Sequence, residues 1–297
     1  MPPLTEFRGS GFPEEQPAVE VDRLTFTYTP GLPYEVTSLK DVSLVIRKGD
    51  FYAVTGSTGS GKTTLVKHFN GLLLPTAGTV RVLGVSTAGK TARRELWKKV
   101  GLVFQQPEQQ IFEETVSAEV AFGPKNMRLS PREVEERVDE ALSLVGLAAE
   151  VKRLSPFALS GGQRRRAAIA GVLAMRPEIL VLDEPGAGLD PPGRRSILAA
   201  IDRIRREKGT TVVFVTHNME EVARLATRMA VFSKGRLLLE GTPRDVFARA
   251  AVLKEAGLDL PAPARLMRGL AAAGMPVRTS VLTLEEAEEE IVKVMRG

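Results

Sequence analysis

The chain has 297 residues, of which 43% are hydrophobic and 26% charged, enough for one large domain with additions or for two smaller ones. It contains no cysteine, which excludes disulfides, thiolate metal sites and cysteine nucleophiles. The formal net charge is +5, but the basic residues are dispersed among acidic ones, so a mixed solvated surface explains the charge better than a nucleic-acid site.

Membrane-spanning and secretory segments are not expected. No stretch approaches the roughly 20 uninterrupted apolar residues that cross a bilayer, and residues 1–20 lack the apolar centre of a secretory signal. We therefore expect a cytoplasmic protein, and the positive charge gives weak support for work beside an anionic membrane surface.

The predicted elements begin after an N-terminal arm. Residues 1–18 carry four prolines and two glycines with few aliphatic residues, which predicts a flexible arm, and ordered structure is expected from about Val19. Most of the predicted strands are separated by helical stretches or turn residues, which indicates a mixed sheet with a parallel core. The β-rich runs lie at 19–28, 42–46, 51–55, 79–83, 100–104, 179–182, 211–216, 229–233 and 236–240.

Helical periodicity predicts two additions to this sheet domain. The strand pattern disappears between Thr115 and Met175, where 131–145 and 163–175 show apolar residues at helical spacing, so we expect a helical subdomain at about 107–176 inside a domain of 19–242. A C-terminal helical extension is expected at 243–297. Its helices are predicted near 264–273 and 284–295, the last with a capping box from Thr283 to Glu286.

The stretch "GSTGSGKTT" matches G-x-x-x-x-G-K-[ST] between an apolar run, 51–54, and a helical segment, which is the context that this phosphate-binding motif requires. Glycines let successive N–H groups converge on a phosphate, and the following helix N-terminus adds partial positive charge. Lys62 is expected to reach the β- and γ-phosphates and the Thr63 hydroxyl to hold Mg²⁺. The residues expected around the nucleotide are Gly56, Ser57, Thr58, Gly59, Ser60, Gly61, Lys62, Thr63 and Thr64.

Two adjacent carboxylates, Asp183 and Glu184, end the apolar run 179–182, which is typical of a buried parallel strand. Without a metal and a nucleotide the pair would repel and resist ionisation. We therefore expect Asp183 to hold Mg²⁺ through a water molecule and Glu184 to polarise the attacking water.

A second anion-binding helix start lies at "LSGGQ", where Ser160 is a good N-cap and Gly161, Gly162 and Gln163 open an arginine- and alanine-rich helix. One γ-phosphate already has a cradle in this chain. The second terminus is therefore expected to serve a nucleotide held by another subunit.

Together, LSGGQ, the phosphate loop before it and "VLDEP" after it resemble the ATP-binding-cassette (ABC) family. The resemblance implies an α/β fold: a P-loop NTPase core with a mixed β-sheet, an antiparallel β subdomain, the inserted helical subdomain and a small C-terminal helical extension. It also implies that two nucleotide domains close head to tail, so that the LSGGQ loop of each, the signature of the family, covers the ATP held by the other. The expected cofactors are ATP and Mg²⁺.

The remaining family elements occur in the family's order. By this resemblance Tyr28, in "FTYTP", stacks on adenine. The resemblance also implies that Gln105 senses Mg²⁺ and links to a membrane partner, with the adjacent Gln106 as the alternative for this role. Residues 187–190 resemble the loop that couples the two sites. His217, in "FVTHN", matches the switch histidine that contacts γ-phosphate, so the implied catalytic residues are Glu184, His217, Gln105 and Lys62.

Five residues near these motifs receive no catalytic role. His68 is expected on the helix after the phosphate loop. Residues 164–166, three arginines, are expected to point in different directions on a helix and to make local salt bridges. Gly186 stands where many relatives carry a larger residue, and a looser turn is expected there.

Residues 105–126, which include Ile111, Phe112, Val116, Val120 and Phe122, offer apolar side chains for a groove that receives a partner helix. This stretch and the tail resemble the ATPases of energy-coupling factor (ECF) transporters and the related cobalt and nickel importers. The resemblance runs from about Val19 to Val294.

It implies a peripheral membrane protein at the cytoplasmic face that powers import of vitamins or transition-metal ions. The implied partners are a second ATPase subunit, a transmembrane coupling protein and a small substrate-binding membrane protein, with the tail helping to hold the ATPase dimer together. Nothing in the chain contacts the cargo, so the cargo is left open, and pairing with a copy or with a related ATPase is equally compatible.

Other cassette proteins fit less well. Cassette ATPases of DNA repair carry a very long coiled coil between phosphate loop and signature, and no heptads occur here. Translation-type proteins normally carry two cassettes in one chain. A regulatory module that does not hydrolyse ATP is disfavoured by the presence of Glu184, Gln105 and His217, whereas another importer or an exporter stays open as the alternative.

Overall fold

The computed structural model describes residues 17–296. Residues 1–16, which make up most of the predicted N-terminal arm, lie outside the described residues. The first described strand begins at Pro17, two residues before the predicted strand start at Val19. The strands in this part of the chain are β1 (Pro17–Tyr28), β2 (Val36–Arg47), β3 (Phe51–Gly56), β4 (Ala77–Val82), β5 (Val85–Ser86), β6 (Val100–Val103), β7 (Ile179–Asp183), β8 (Thr211–Val215), β9 (Arg228–Ser233) and β10 (Arg236–Gly241).

The helices alternate with these strands and then occupy the C-terminal part of the chain. They are α1 (Lys62–Phe69), α2 (Lys90–Lys99), α3 (Val116–Asn126), α4 (Pro131–Leu144), α5 (Gly161–Leu173), α6 (Pro191–Lys208), α7 (Met219–Leu225), α8 (Pro243–Ala248), α9 (Ala250–Glu255), α10 (Ala262–Ala272) and α11 (Leu284–Arg296). Within residues 17–296, no helix is both long enough and apolar enough to cross a membrane.

The larger sheet has the strand order β10-β9-β3-β8-β7-β6, and its pairs from β9 to β6 are parallel while β10 pairs antiparallel with β9. Strands β3, β7 and β8 are buried at every residue. Continuous apolar runs of this kind form where both faces of a parallel sheet are covered. The predicted mixed sheet with a parallel core is therefore confirmed.

The smaller sheet is antiparallel, in the order β2-β1-β4-β5. It contains the two clearest differences from the predicted strands: β2 begins at Val36 rather than at 42, and the two-residue β5 was not predicted. Both segments carry few apolar residues, and β5 gains its strand conformation by pairing with β4. Cross-strand pairing of this kind leaves no periodicity in a short sequence window.

The larger sheet forms the central layer because its side chains alternate between two cores. Leu180, Leu182, Val212 and Phe214 face a cluster built with the helices α3 to α6. The intervening residues of the same strands face the antiparallel sheet and α1. Strand alternation thus places the helical subdomain and the antiparallel sheet on opposite faces.

The helical subdomain follows the predicted pattern: α4 and α5 match the predicted segments within two residues at each end, and no strand occurs among the described residues from Thr115 to Met175. Ser130 and Glu133 form a capping box that fixes the start of α4.

The C-terminal extension packs against β9 through a cluster that contains Met229, Val231, Leu253, Leu258 and Leu282. Its last helix begins where predicted. The backbone N–H of Glu286 donates to Thr283 Oγ1 at 3.3 Å, as a capping box requires. The carboxylate of Glu286 instead accepts from the backbone N–H of Leu282 at 2.8 Å, one residue earlier than the expected reciprocal bond.

Candidate functional site

Parallel strand order brings most of the predicted site residues to one edge of the larger sheet. The strands β3, β8, β7 and β6 are neighbours, and their carboxyl ends lead into the phosphate loop, His217, the Asp183–Glu184 pair and Gln105. Ligands of open α/β sheets bind at this edge.

The phosphate loop requires glycine at two positions, for two different neighbours. An ideal Cβ on Gly56, where φ is 148°, would lie 2.2 Å from the carbonyl oxygen of Phe232. On Gly61, where φ is 102°, it would lie 2.8 Å from the carbonyl oxygen of Ser38. Both positive φ values and both close contacts exclude other residues, so the loop is held in one shape by the strands around it.

Lys62 folds back over the loop that precedes it. Its Nζ donates to the carbonyl oxygens of Gly56 at 2.8 Å and Ser57 at 2.9 Å. Burial lowers the pKa of Lys62, and the carboxylates of Glu184 and Asp183 oppose that change. The ammonium group therefore stands in the loop, where a bound phosphate would meet it.

The side chain of Asp183, at the end of β7, accepts a hydrogen bond from the phosphate loop. The hydroxyl of Thr63 donates to Asp183 Oδ2 at 2.7 Å. Burial raises the pKa of Asp183, the hydrogen bond from Thr63 opposes this, and the adjacent Glu184 carboxylate raises it further. A metal ion beside Thr63 would be a nearby cation, and its positive charge would favour the ionised form of the Asp183 carboxylate.

This donor set fits Mg²⁺. Magnesium in nucleotide sites takes oxygen ligands, usually one or two from the protein, and completes its shell with phosphates and water. A hydroxyl and a carboxylate lie together at Thr63 and Asp183, with the Gln105 amide on the adjacent strand end. No group of three or more acidic or histidine side chains in residues 17–296 forms a cage of its own.

Glu184 is held between two predicted site residues. Gln105 Nε2 donates to Glu184 Oε2 at 3.3 Å, and His217 Nδ1 lies 3.1 Å from Glu184 Oε1. The backbone of Glu184 has a φ of 50°, in the left-handed region that non-glycine residues seldom adopt. The carboxylate is thereby turned toward the loop side of the sheet, and Gln105 rather than Gln106 makes the contact.

A cavity of about 520 Å³ opens beside these groups. Its walls include Lys62, Glu184 and His217, together with the exposed loop residues Ser57 and Thr58. The C-terminal extension forms the opposite wall, through residues 257–260 and Arg265.

The remaining loop side chains face inward. Ser60 and Thr64 are buried, and the Thr64 hydroxyl bonds to Tyr28 at 3.1 Å and Ser38 at 2.9 Å. Tyr28 is 38% exposed, and its ring makes an edge contact with Phe26 at a centroid distance of 4.7 Å. Tyr28 thus stands directly beside the phosphate-loop helix, and adenine stacking on it stays a prediction.

The signature residues form the predicted helix start but lie apart from the phosphate loop of the same chain. The Ser160 side chain accepts from the N–H of Gln163 at 3.3 Å, and the Gln163 side chain accepts from the N–H of Ser160 at 3.0 Å. Among the described residues, none of the four from Ser160 to Gln163 lines the cavity at Lys62.

The prediction for the three arginines after the signature was partly wrong. They point in different directions, as expected, but they bind mainly carbonyl oxygens instead of making local salt bridges. Arg164 donates to the carbonyls of Phe157 and Leu159, and Arg166 donates to those of Gly162 and Gly146. The carbonyls of Phe157, Leu159 and Gly146 lie in turns or at helix ends, where a guanidinium can reach them.

Arg165 was missed by the sequence analysis as a residue of the site. It is 3% exposed and contacts the backbone of both Gln105 and Glu184. A run of three arginines carries no signal for which of them is buried, because that depends on the side of α5 that faces the sheet.

Gly186 makes room for an ion pair, and the looser turn expected there stays a prediction. An ideal Cβ there would lie 2.5 Å from Arg194 Nε and 2.7 Å from its Cδ and Cγ. The Arg194 guanidinium donates through Nε and Nη2 to the two oxygens of Glu221, the second at 2.7 Å. Glu221 belongs to the helix that follows His217, and Thr216 Oγ1 also donates to it at 3.5 Å.

The apolar residues from 105 to 126 divide between core and surface. Ile111, Val116 and Val120 are buried, so they fill the subdomain core and not a groove. Phe112 and Phe122 are 60% and 44% exposed, and their rings meet edge to face at 4.9 Å. They line a groove of about 570 Å³ whose other walls include Trp97, Pro107, Gly123, Gly171 and Met175.

Comparison with known proteins gives consistent matches. Residues 39–187 match the ABC transporter family. The chain is 47% identical over 280 residues to the energy-coupling factor transporter ATP-binding protein EcfA2 of Caldanaerobacter subterraneus subsp. tengcongensis, covering 94% of this chain and 98% of that protein. It is 49% identical over 277 residues to EcfA2 of Symbiobacterium thermophilum, covering 93% and 96%.

Solved structures agree in fold. CbiO1 from Clostridium perfringens, described as part of the ABC transporter complex CbiONQ, has a TM-score of 0.72 and 36% identity, and the match covers 86% of this chain and all of that one. The ATP-binding cassette MJ0796, a dimer in a post-hydrolysis state with ADP and phosphate, has a TM-score of 0.69 and 31% identity over 76% of this chain and 98% of its own. The predicted P-loop NTPase core of the cassette type is confirmed.

Proposed function

Because this chain belongs to the ABC transporter family, and within it to the ATP-binding subunits of energy-coupling factor transporters, we propose that it binds and hydrolyses ATP to power a membrane importer of vitamins or transition-metal ions. One observation carries the proposal: Glu184 stands between Gln105 and His217, next to the Thr63–Asp183 pair, at the mouth of the phosphate loop. A carboxylate so placed lies where a water attacking a γ-phosphate would have to be held.

Nucleotide binding would use the backbone N–H groups of 56–64, with the ammonium of Lys62 on the β- and γ-phosphates. Thr63 and Asp183 would hold Mg²⁺, and Gln105 would complete the protein's contribution. When bound, the metal neutralises charge that develops on the phosphates.

Hydrolysis would begin with a water molecule held by Glu184, whose carboxylate orients it for in-line attack and accepts a proton from it. The 3.1 Å contact between His217 Nδ1 and Glu184 Oε1 fixes the direction of that carboxylate. His217 and Lys62 would then stabilise the charge on the transferred group. These groups lie together in the folded chain, at the carboxyl ends of neighbouring strands.

Two chains would act as a pair. Ser160 and the residues after it form a capped, anion-binding helix start that lies apart from the cavity at Lys62. A head-to-tail pair would place this helix start of one subunit over the nucleotide of the other. The second subunit is a copy of this chain or a related ATPase.

The groove at Phe112 and Phe122 would receive a helix of a transmembrane coupling subunit, and the protein would then work at the cytoplasmic face of the membrane. Two exposed, mutually packed aromatic rings beside an apolar groove are typical of a helix-binding site. The groove also lies on the segment that begins with Gln105, so its occupant would respond to the nucleotide site. A small substrate-binding membrane subunit would complete the assembly.

The C-terminal extension would help to hold the ATPase pair together. Leu266, Leu284 and Met295 are exposed apolar residues on its helices α10 and α11, beyond those that pack on the core. These side chains are available for contact with a second subunit.

Purification of the tagged chain from membranes, with ATPase assay and mass spectrometry of the co-purifying proteins, tests the proposal. We expect the tagged chain to hydrolyse ATP and to co-purify with an integral membrane protein. The Phe122→Asp variant should lose that membrane partner. The control is Leu238→Asp, which changes an exposed apolar residue of β10 outside the groove. Recovery of the unaltered chain only as a free protein without a membrane subunit would overturn the proposal.

A further inference from the structure

Arg165 joins three segments that belong to different parts of the nucleotide machinery. From α5, its Nη2 donates to the carbonyl oxygens of Gln105 at 2.7 Å and Glu184 at 2.8 Å, and its Nε donates to that of Pro185 at 2.9 Å. Its Nη1 lies 3.4 Å from Glu108 Oε2. One side chain thus bonds the signature helix to the strand end that carries the water-holding carboxylate and to the sensing glutamine.

We propose that Arg165 couples the two nucleotide sites of an ATPase pair: it links the helix whose N-terminus meets the partner's nucleotide to the backbone of Glu184 and Gln105, which serve the chain's own nucleotide. The inference rests on the head-to-tail pairing proposed above. Arg165 touches no nucleotide in this arrangement and is therefore a positioning residue.

The length of the link is short. Ser160 caps α5, and Arg165 follows it by five positions, which is less than one and a half helical turns at about 3.6 residues per turn. A helix segment of this length is stiff, so a displacement of the capped end by the partner's phosphate would move the guanidinium with it.

The hydrogen bonds of the Arg165 guanidinium are not easily replaced by bonds to other groups. The guanidinium is 3% exposed, and burial lowers the pKa of Arg165. Hydrogen bonds to a charged donor are stronger than neutral ones, and a buried donor left without a partner is costly. The helix α5 therefore cannot shift against the strand end unless the carbonyls of Glu184 and Gln105 follow.

The carbonyls carry the shift to the reacting groups. The side chains of Gln105 and Glu184 are themselves hydrogen-bonded at 3.3 Å, and Glu184 also contacts His217. Moving the two backbones relative to each other would change the direction of the Glu184 carboxylate without changing the phosphate loop. The expected signature is a change in turnover with little change in ATP affinity.

Arg165→Lys in the full-length chain with its partner subunits tests this. Lysine keeps the charge but cannot reach three carbonyls from one planar group. We expect kcat to fall about 3- to 30-fold, the range of known coupling networks. The ATP Kd by calorimetry should stay within about two-fold, since the phosphate-loop contacts are unchanged, and the Hill coefficient for ATP should fall toward 1. Arg195→Ala, at an exposed arginine of α6, is the control and should match the unaltered chain.

Arg165→Gln is the second variant. It covers the case in which small shifts of the neighbouring residues let lysine keep the hydrogen bonds of Arg165. Unchanged kcat and Hill coefficient in both variants would overturn the inference. So would a loss of thermal stability with unchanged cooperativity, since that is the result of a purely structural contact. Absence of hydrolysis or of cooperativity in the unaltered chain would instead defeat the proposed paired ATPase.

Discussion

Thr63 Oγ1 donates a 2.7 Å hydrogen bond to Asp183 Oδ2, although 120 positions separate the two residues in the chain. The bond exists because the strands before them, β3 and β7, are both neighbours of β8 in the parallel sheet. It joins the phosphate loop to the strand-end carboxylates within the folded chain. The predicted magnesium ligands Thr63 and Asp183 therefore lie side by side.

Asp183→Asn should raise the Mg²⁺ concentration needed for half-maximal ATPase activity by about 10- to 100-fold, the usual cost of losing a partner that acts on the metal through water. The amide keeps the size of the side chain and removes its charge. A magnesium titration of the ATPase rate measures the effect. Asp139→Asn, an exposed aspartate on α4, is the control, and an unshifted titration in Asp183→Asn would contradict the role given to Asp183.

Glu184→Gln should lower ATP turnover by about 10²- to 10⁴-fold, the range for a positioned general base. ATP binding should persist, because the phosphate loop and Lys62 are untouched. The ATPase rate and the calorimetric Kd measure the two effects separately. Glu178→Gln changes a half-exposed glutamate just before the same strand and should have no effect. Near-normal hydrolysis in Glu184→Gln would refute the assignment.

Lys62→Ala should end tight ATP binding, raising the Kd roughly 100-fold or more, because it removes a charged donor from the phosphates. The carbonyls of Gly56 and Ser57, which accept from Lys62 Nζ, would lose this donor. Calorimetric titration with ATP measures the change. Lys48→Ala, in the exposed turn before β3, serves as the control. An unchanged affinity in Lys62→Ala would argue against the phosphate-loop assignment.

Gly186→Thr should destabilise the folded chain by about 1–3 kcal/mol, the usual cost of overpacking. The new Cβ would displace the Arg194 side chain and weaken its ion pair with the buried Glu221. Urea unfolding measures the change in the free energy of unfolding. Gly269→Ala, in the helix α10 with open space around it, should not destabilise the chain. Equal stability of Gly186→Thr and the unaltered chain would contradict the prediction, because it would show that the Arg194 side chain can adopt another conformation without cost.

His68 should make the chain less stable as the pH falls below about 6.5, the ordinary pKa of histidine. Its Nδ1–H donates to the carbonyl oxygen of Thr64 at 2.8 Å, and burial lowers the pKa of His68 in the folded chain. The unfolded state therefore takes up the proton first, so its contribution to stability is present above that pH and is lost below it.

Urea unfolding at about pH 7.5 and about pH 5.5, which bracket the ordinary histidine titration, measures this effect. The loss on acidification should be smaller in His68→Gln, because glutamine does not titrate. His217→Gln makes the same change at the other histidine, which is exposed, and is the matched control variant. Identical pH dependence in His68→Gln and the unaltered chain would contradict the prediction.

The parts of this protein that the sequence determined are those encoded in short windows. The phosphate loop between β3 and α1 carries its glycines and lysine at fixed spacing, and Ser160 with Gln163 forms its capping box within four residues. Apolar runs of four or five residues predicted β7 and β8 because a strand covered on both faces needs apolar side chains at every position.

Contacts between groups that are far apart in the chain depend on how whole elements pack. The burial of Arg165 depends on which side of α5 faces the end of β7, and neighbouring arginines in a run give no sign of it. The space that Gly186 leaves for Arg194 depends on one loop and the two helices α6 and α7 coming together. Such contacts arise from the packing of whole elements, and packing is a property of the folded surface that no local pattern of residues records.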